Sequence, residues 1–370
     1  MGIRSSKVEH LYGHMPFCAA KCHYCAFYSE AGSAAKMEDY VDALLLELGE
    51  FATQLAPKTI FFGGGTPSLL PAPLLRRVLE ALHEKVSLRQ LGEWTIECNP
   101  STVSTEKAKL FREFGVNRIS MGVQALDDEL LKTIGRVHSL KAAMGSYAKL
   151  RAAGFDNINL DLMFGLPGQT MDHWRNTLER AIELQPEHLS TYCLILEEDT
   201  GFWSLFQKGL IKPDEDQELA MYQAAIDTLG AAGYRQYEIS NFAQPGRECA
   251  HNIAYWEGEN YLGLGPSACS TVDNRRWQNI PDTDRYIEGV RNRKSIVGFE
   301  EVLTPDLRAA ERAAFGMRMN AGVPAELVRG RWDEEIAELL SAELVQWRNG
   351  RLRPTPRGIL FADEVAAQFV

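Results

Sequence analysis

The chain has 370 residues, 45% of them apolar and 24% charged, the composition of a globular protein long enough for one large barrel or two to three smaller domains. Lys and Arg total 39 against 50 Asp and Glu, a formal net charge of −11; general nucleic-acid binding, which needs a basic face for the phosphates, is therefore disfavoured. No apolar run approaches the ~20 residues of a membrane span, and the N-terminus lacks a signal peptide's apolar block, so the sequence predicts a cytoplasmic protein with no stable membrane insertion.

Met1-Gly2 with Ser5 and Ser6 fits the permissive N-myristoylation pattern, but no polybasic segment accompanies it. From residue 10 to about 242, short β-branched or aromatic runs alternate with amphipathic runs of helix length, the signature of βα units around a parallel sheet. Strands are predicted at residues 10–17, 58–64, 94–99, 118–124, 157–164 and 188–196, and helices at 37–51, 73–86, 105–114, 140–153, 172–184 and 216–232. Six right-handed units of this kind curl into an open barrel, short of the eight that close one. The fold class is thus α/β, with residues 1–242 forming the barrel. Residues 243–303, with Gln244-Pro245-Gly246 and a glycine-rich stretch at 258–265, predict irregular structure connecting to a last domain at 304–370. That domain reads as helices at 305–319 and 333–342, a hairpin turning at Asn349-Gly350, and a helix from Pro356. Helices followed by such a hairpin resemble a winged helix, which the net charge of −11 expects to pack rather than to bind DNA.

The chain has 7 cysteines, an odd number without an export signal, which argues against a disulfide framework. Cys18, Cys22 and Cys25 crowd into one short loop after the first strand. Three thiolates at this spacing can hold three irons of a [4Fe–4S] cluster and leave the fourth iron open to a ligand, whereas ferredoxin-type clusters take four thiolates. Zinc and inert buried cysteines are the competing readings. A closed zinc site needs a fourth ligand; His14 and His23 are near in sequence, but no second Cys-x-x-Cys or His-x-x-x-His follows.

The second strand ends in Gly63-Gly64-Gly65-Thr66-Pro67-Ser68, a run that lets a ligand lie against bare backbone. It lacks the Gly-Lys-Ser/Thr ending of a nucleotide triphosphate loop. Ligands of parallel βα folds sit at the carboxyl ends of the strands, where Glu97, Gln124 and Asp161 also fall. Those groups suit a ligand with an ammonium and a ribose, and Arg136 suits its carboxylate. Gly263-Leu264-Gly265-Pro266-Ser267-Ala268 matches the dinucleotide fingerprint as a pattern, but Pro266 opposes a helix start and no buried strand is predicted before it.

These residues resemble the radical S-adenosylmethionine (SAM) superfamily, in the branch that contains oxygen-independent coproporphyrinogen III oxidases and heme chaperones. The resemblance spans nearly the whole chain. It rests on His14-Met15-Pro16-Phe17-Cys18 with the cysteine loop, the 63–68 glycine loop, Thr95 to Pro100, Gly122-Val123-Gln124, Leu160-Asp161, Gly165-Leu166-Pro167-Gly168 and Tyr237-Glu238-Ile239-Ser240-Asn241-Phe242. It implies a partial (β/α)6 barrel, a cluster on Cys18, Cys22 and Cys25, and SAM contacts from Tyr12, Tyr24, Gly64, Gly65, Thr66, Glu97, Gln124, Arg136 and Asp161. Oxidases of the branch carry a further Cys where this chain has Phe27, and a longer N-terminal arm; His251-Asn252-Ile253-Ala254-Tyr255-Trp256 resembles the His-Asn-x-x-Tyr-Trp stretch of the chaperones. Ala26 stands where the chaperones usually have Asp, and Gly265-Pro266-Ser267-Ala268-Cys269 where they have Gly-Pro-Gly-Ala-His.

Three functions follow from this resemblance. The first is a heme carrier, with His251 and Cys269 as candidate heme contacts near the barrel mouth or C-terminal region, passing heme to an acceptor protein such as a respiratory-chain component. The second is a coproporphyrinogen III oxidase, against which Phe27 counts. The third is a radical enzyme acting on another substrate, since superfamily members share the cluster and differ in what fills the barrel.

Overall fold

Two-residue alternation along the strands shapes the architecture. In the computed structural model, which describes residues 7–370, strands β1 (Val8–Met15), β2 (Leu55–Gly64), β3 (Glu93–Cys98), β4 (Arg118–Gln124), β5 (Ile158–Phe164) and β6 (His188–Cys193) lie side by side in chain order, all parallel. The myristoylation pattern at Met1 and Gly2 lies outside the described residues. One face of each strand is apolar: Leu11, Ile60, Trp94, Ile96, Ile119, Met121, Leu160 and Leu189 are buried beneath the crossover helices Ala34–Phe51, Ala72–Lys85, Thr105–Glu113, Leu140–Ala152, Met171–Glu183 and Glu215–Ala231.

Local sequence starts most of these helices. Ser33, Ser104, Ser139, Thr170 and Asp214 each accept a hydrogen bond from the backbone N–H three residues on, satisfying a donor the helix itself cannot. Helix Ala72–Lys85 instead follows Pro71 and has Pro73 in its first turn, where a missing N–H costs nothing. Two short helices, Asp128–Thr133 and Gly201–Gln207, occupy loops where none was predicted.

The largest departure from the sequence reading falls within residues 243–303. In place of irregular structure, helix Ala250–Trp256 is followed by β9 (Tyr261–Leu264), β10 (Cys269–Val272), β11 (Arg275–Asn279), helix Thr283–Arg291 and β12 (Val297–Val302). With β7 (Arg235–Gln236) and β8 (Asn241–Ala243), the sheet has 12 strands in the order β12-β11-β10-β9-β1-β2-β3-β4-β5-β6-β8-β7. Strand β9 runs parallel to β1, with Tyr12 opposite Gly263. A glycine at its centre and no β-branched residue in Tyr261-Leu262-Gly263-Leu264 hide this strand from a propensity reading, yet it pairs the edge that β1 would otherwise leave open. A buried strand therefore does precede Gly265, but a turn and β10 follow it rather than a helix, so the dinucleotide pattern lacks its phosphate-binding helix.

The C-terminal segment has its own apolar cluster, built from Ala313, Met317, Val323, Val328, Ile336, Leu339, Val345, Leu352, Val365 and Phe369. Helices Pro305–Gly316, Ala325–Val328 and Asp333–Ser341 precede a hairpin of Val345–Arg348 and Arg351–Pro354. Asn349 (φ 52) and Gly350 (φ 72) both take left-handed backbone, as a type I′ turn requires. The segment packs back onto the barrel: Ile239 N–H donates to Arg318 O at 3.1 Å and Asn320 N–H to Tyr237 O at 3.0 Å. Among the described residues no helix is long and apolar enough to cross a membrane.

Candidate functional site

The second face of the six strands points into the barrel, and it is polar. His10, Thr59, Glu93, Thr95, Arg118, Ser120, Asn159, His188 and Ser190 are all buried there, where barrels more often hold branched aliphatic side chains. Buried polar groups persist only when they are partnered or await a ligand. The two ends of this barrel divide along that line.

At the carboxyl ends of the strands, the cysteine loop is pinned on several sides. Cys18 N–H donates to Glu30 O at 2.9 Å and Glu30 N–H to Pro16 O at 2.8 Å; His23 N–H donates to Ile134 O at 3.1 Å, and Phe202 N–H to His23 O at 2.8 Å. Gly65 N–H and Thr66 N–H reach Met15 O and Phe17 O, each at 2.8 Å, so the glycine loop lies directly against the start of the cysteine loop. A Cβ on Gly65 would stand 2.7 Å from Met15 O, and Gly64 has φ +97; both positions require glycine. Cys18, Cys22 and Cys25 are free thiols, partly buried. Cys18 Sγ lies 3.5 Å from Thr66 Oγ1 and Cys22 Sγ 3.6 Å from Arg136 Nη1. Burial pushes the Cys25 thiol up, and the charges of Cys22 and Cys18 add to that rise. Three cysteines on one loop pinned by backbone hydrogen bonds suit an iron–sulfur cluster, which takes them as thiolates. His14 is not free to complete a zinc site: Nδ1 meets Tyr12 Oη at 3.2 Å and Nε2 meets Tyr28 O at 2.9 Å.

Glu97 ends β3 beneath the glycine loop, where a Cβ on Gly63 would come within 2.9 Å of its Oε2. Burial pushes its carboxyl up to about 8, the charge of Asp161 adds to the rise, and the Gly64 N–H and Arg118 oppose it. Asp161 is also raised by burial, but Asn159 Nδ2 donates to it at 2.7 Å and Ser120 Oγ at 3.2 Å. Glu97 is therefore the carboxylate that gains most from an incoming cation. Arg136 donates to Gly122 O at 2.5 Å, while its Nε is buried without a partner. Gln124 adopts φ 68, and its Nε2 and Arg136 Nη2 would lie 2.9 and 3.1 Å from a Cβ on Gly122. The structure thus gathers Cys22, Tyr24, Arg136 and Asp161 on one side, where their charges act on Tyr24. Tyr12, Glu97 and Cys269 meet on the other, where burial, Glu97 and Cys269 hold the Tyr12 phenol up. A carboxylate with no cation beside it beyond Arg118, a glycine cradle and an orphaned guanidinium N–H fit SAM's ammonium, backbone-facing and carboxylate groups.

The opposite end is organised around Glu93. Its carboxylate accepts from Ala250 N–H at 2.8 Å, His251 N–H at 3.1 Å and the Cys249 thiol at 3.4 Å, capping helix Ala250–Trp256 from the barrel floor. His251 Nδ1 lies 2.7 Å from Thr59 Oγ1, and its ring stacks on Phe61 at 5.2 Å between centroids. Burial, then the charges of His10 and Arg118, lower its pKa to about 3, so the ring is neutral at physiological pH. Thr59 precedes Gly63 by four residues, roughly 13 Å of strand. His251 therefore sits at the floor rather than at the mouth, beside the C-terminal segment, where Tyr255 stacks on Phe315 at 5.9 Å and Arg318 lies 5.2 Å over Trp256. Cys269 opens β10 near Tyr255, Tyr261 and Arg276. Arg118, Glu93, Thr59 and His10 escaped the sequence reading. Their signal was the strand alternation itself, with polar residues at every second position where a closed core would be aliphatic.

The radical SAM superfamily pattern matches residues 12–181, and the HemN C-terminal domain pattern residues 303–361. The heme chaperone HemW of Lactococcus lactis is 36% identical over 98% of this chain and 98% of its own length; that of Bacillus subtilis is 36% identical over 97% and 98%. The solved structure of coproporphyrinogen III oxidase (HemN) from Escherichia coli, a radical SAM enzyme, matches with a TM-score of 0.85 at 26% identity, covering 99% of this chain and 91% of that one. Fold and cysteine loop together define a radical SAM protein, a class that implies a [4Fe–4S] cluster and SAM. Within that superfamily the chain belongs to the heme chaperone HemW family.

Proposed function

We propose that the chain binds heme and passes it to an acceptor protein, with a cluster and SAM at the barrel mouth governing the transfer. The observation that carries this reading is His251: a neutral imidazole with Nδ1 engaged, on a helix wedged between the barrel floor and the C-terminal segment. Neutral imidazole is the form that ligates heme iron. At the mouth, Cys18, Cys22 and Cys25 hold the cluster, Glu97 takes the ammonium of SAM, and Gln124 and Arg136 take its carboxylate. Gly64, Gly65 and Thr66 present backbone to it, and Tyr12, Tyr24 and Asp161 wall the site. When bound, the pair supplies one-electron chemistry; the chain's own part is to orient the ligand and keep water from it.

The HemN likeness supports an oxidase as the second reading, and one experiment separates the two. The cluster is reconstituted anaerobically, hemin is titrated into wild type, His251→Ala and Cys269→Ala while the Soret band is followed, and coproporphyrinogen III consumption is assayed in parallel. Saturable binding without turnover, lost in His251→Ala, is the expected result. SAM-dependent conversion of coproporphyrinogen III without specific heme binding would replace the carrier reading by the oxidase one.

A further inference from the structure

Arg118 carries a buried charge that no group in the barrel takes up. The residue is 2% exposed and its Nε is buried without a partner. Among the described residues no acceptor receives a hydrogen bond from its guanidinium and no carboxylate forms an ion pair with it. The groups whose charge reaches it lie at both ends of the barrel: Cys249, Glu93 and Tyr237 at the floor and Asp161 at the mouth. Burial keeps the Cys249 thiol and the Tyr237 phenol protonated. Glu93 gives its oxygens to donors from residues 249–251, and Asp161 accepts from Asn159 and Ser120. Thr95 stands directly beside Arg118 in the register of β3 and β4, and it too is fully buried with Oγ1 unpartnered. We infer that Arg118 and Thr95 form an anion site at the centre of the barrel, below the site assigned to SAM, that takes a carboxylate.

A guanidinium offers five N–H donors in a planar fork, and leaving them undonated away from water is costly. That fork matches a carboxylate through two parallel hydrogen bonds, and the Thr95 hydroxyl is free to donate a third. Charge selects among anions. Glu93 and Asp161 are near enough to act on Arg118, so a monoanion balances the guanidinium whereas a sulfate or phosphate dianion is repelled by both carboxylates. Depth separates this site from that of the SAM carboxylate: Arg136 Nη2 is held at Gly122 O, four residues and roughly 13 Å along β4 from Arg118. A carboxylate arrives either on the arm of a porphyrin or as a free small acid. The site stands on the unpartnered donors alone; a propionate as its occupant rests on the heme reading proposed above.

The first probe is 13C-formate, small enough for a buried site. It is titrated at constant ionic strength, set with sodium chloride, into the cluster-reconstituted full chain saturated with SAM and without reductant, and binding is read from the width of the carbon line. Saturable binding is expected in wild type, displaced by acetate and not by sulfate. Arg118→Gln is expected to abolish it, Arg118→Lys, which keeps the charge but not the fork, to weaken it roughly tenfold, and Thr95→Val to weaken it about 2–10-fold. Thr95→Val breaks no hydrogen bond of the ligand-free chain, so it decides the matter should an Arg118 variant fail to fold. Absence of formate binding in wild type, equal binding in wild type, Arg118→Lys and Thr95→Val, or displacement by sulfate overturns the site. Hemin and its dimethyl ester, whose propionates carry no charge, then separate the two sources in Soret titrations. A wild-type preference for hemin of roughly 10–100-fold that falls toward parity in Arg118→Gln assigns the site to a propionate. A preference that Arg118→Gln leaves unchanged, with formate binding lost, assigns it to a free carboxylate. Failure of hemin to bind at all sinks the heme reading, while formate still decides the site.

Discussion

The two ends of one set of strands solve the same problem in opposite ways. At the floor, most of the groups around His251 are matched: Glu93 takes three donors from residues 249–251, and His188 Nδ1 meets Asn159 Oδ1 at 2.7 Å and its Nε2 meets Tyr237 Oη at 2.9 Å, although Arg118 Nε and Thr95 Oγ1 are buried without a partner. At the mouth, three thiols crowd together, Glu97 is forced toward its protonated form by burial, and Arg136 Nε has no partner. A matched network costs little and holds position; an unmatched one stores a demand that a ligand relieves. On the reading proposed above, the mouth takes the cofactors and the floor aligns the helix carrying His251.

Removal of any one thiol should break the mouth outright. Cys18→Ala, Cys22→Ala and Cys25→Ala are each expected to lower bound iron after reconstitution to near background, with the far-ultraviolet circular dichroism unchanged. Retention of a full iron load in any of them would show that the loop is not the cluster site. A smaller effect is expected from Glu97→Gln, which keeps the shape and removes the charge: SAM affinity should fall by about 10–100-fold, the cost of a lost charged hydrogen bond at about 1.5–3 kcal/mol.

Glu97 also gives the comparison a pH signature. Its folded-state pKa of about 8 stands above the ordinary 4.5, so the folded chain binds this proton more tightly than the unfolded one. The resulting contribution to stability is complete below about pH 4.5 and is lost as pH rises through about 8, with a slope near 1.4 kcal/mol per pH unit. Ligand-free Glu97→Gln should lack that slope in denaturant titrations across the window. SAM binding near neutral pH should release a proton from wild type and none from the variant, as read by calorimetry in buffers of different ionisation enthalpy.

The floor should respond in stability rather than in cofactor content. Glu93→Gln weakens the cap on helix Ala250–Trp256 and leaves Arg118 with less countercharge, so a loss of about 1–3 kcal/mol is expected. Iron loading should be unchanged. An equal loss of iron would mean that the two ends do not fold as separable networks.

What the sequence revealed follows the same divide. The strands from Lys58 to Phe164 fall within a few residues of their predicted places, because each is an apolar run between strong helix starts such as Ser104 and Ser139. Strand β9 was missed because glycine hides it and only its partner β1 justifies it. Mouth residues stood out as motifs, since loops concentrate Gly and Cys at fixed spacing. At the floor only His251 stood out, through the His-Asn-x-x-Tyr-Trp stretch; its partners His10 and Thr59 did not, since they lie 241 and 192 positions away in sequence (251 − 10, 251 − 59) and only the curl of the sheet makes them neighbours. Cys269 marks the limit of motif reading. It stands at a position the family fills with His, yet it faces tyrosines and Arg276 at the start of a strand.

The smallest expected effect is at Phe27, whose side chain is 71% exposed on the rim of the cysteine loop. Oxidases of the branch carry a cysteine at this place, so Phe27→Cys asks whether one thiol turns a carrier into an oxidase. Exposed rings away from packed neighbours contribute within about 0.5 kcal/mol, so folding and iron loading should not change. Porphyrinogen turnover should not appear either, because the carrier reading rests on the floor, where Glu93, Thr59 and His251 are untouched by the substitution. Measurable SAM-dependent consumption of coproporphyrinogen III by Phe27→Cys would place the functional difference at the mouth and invert the comparison between the two ends.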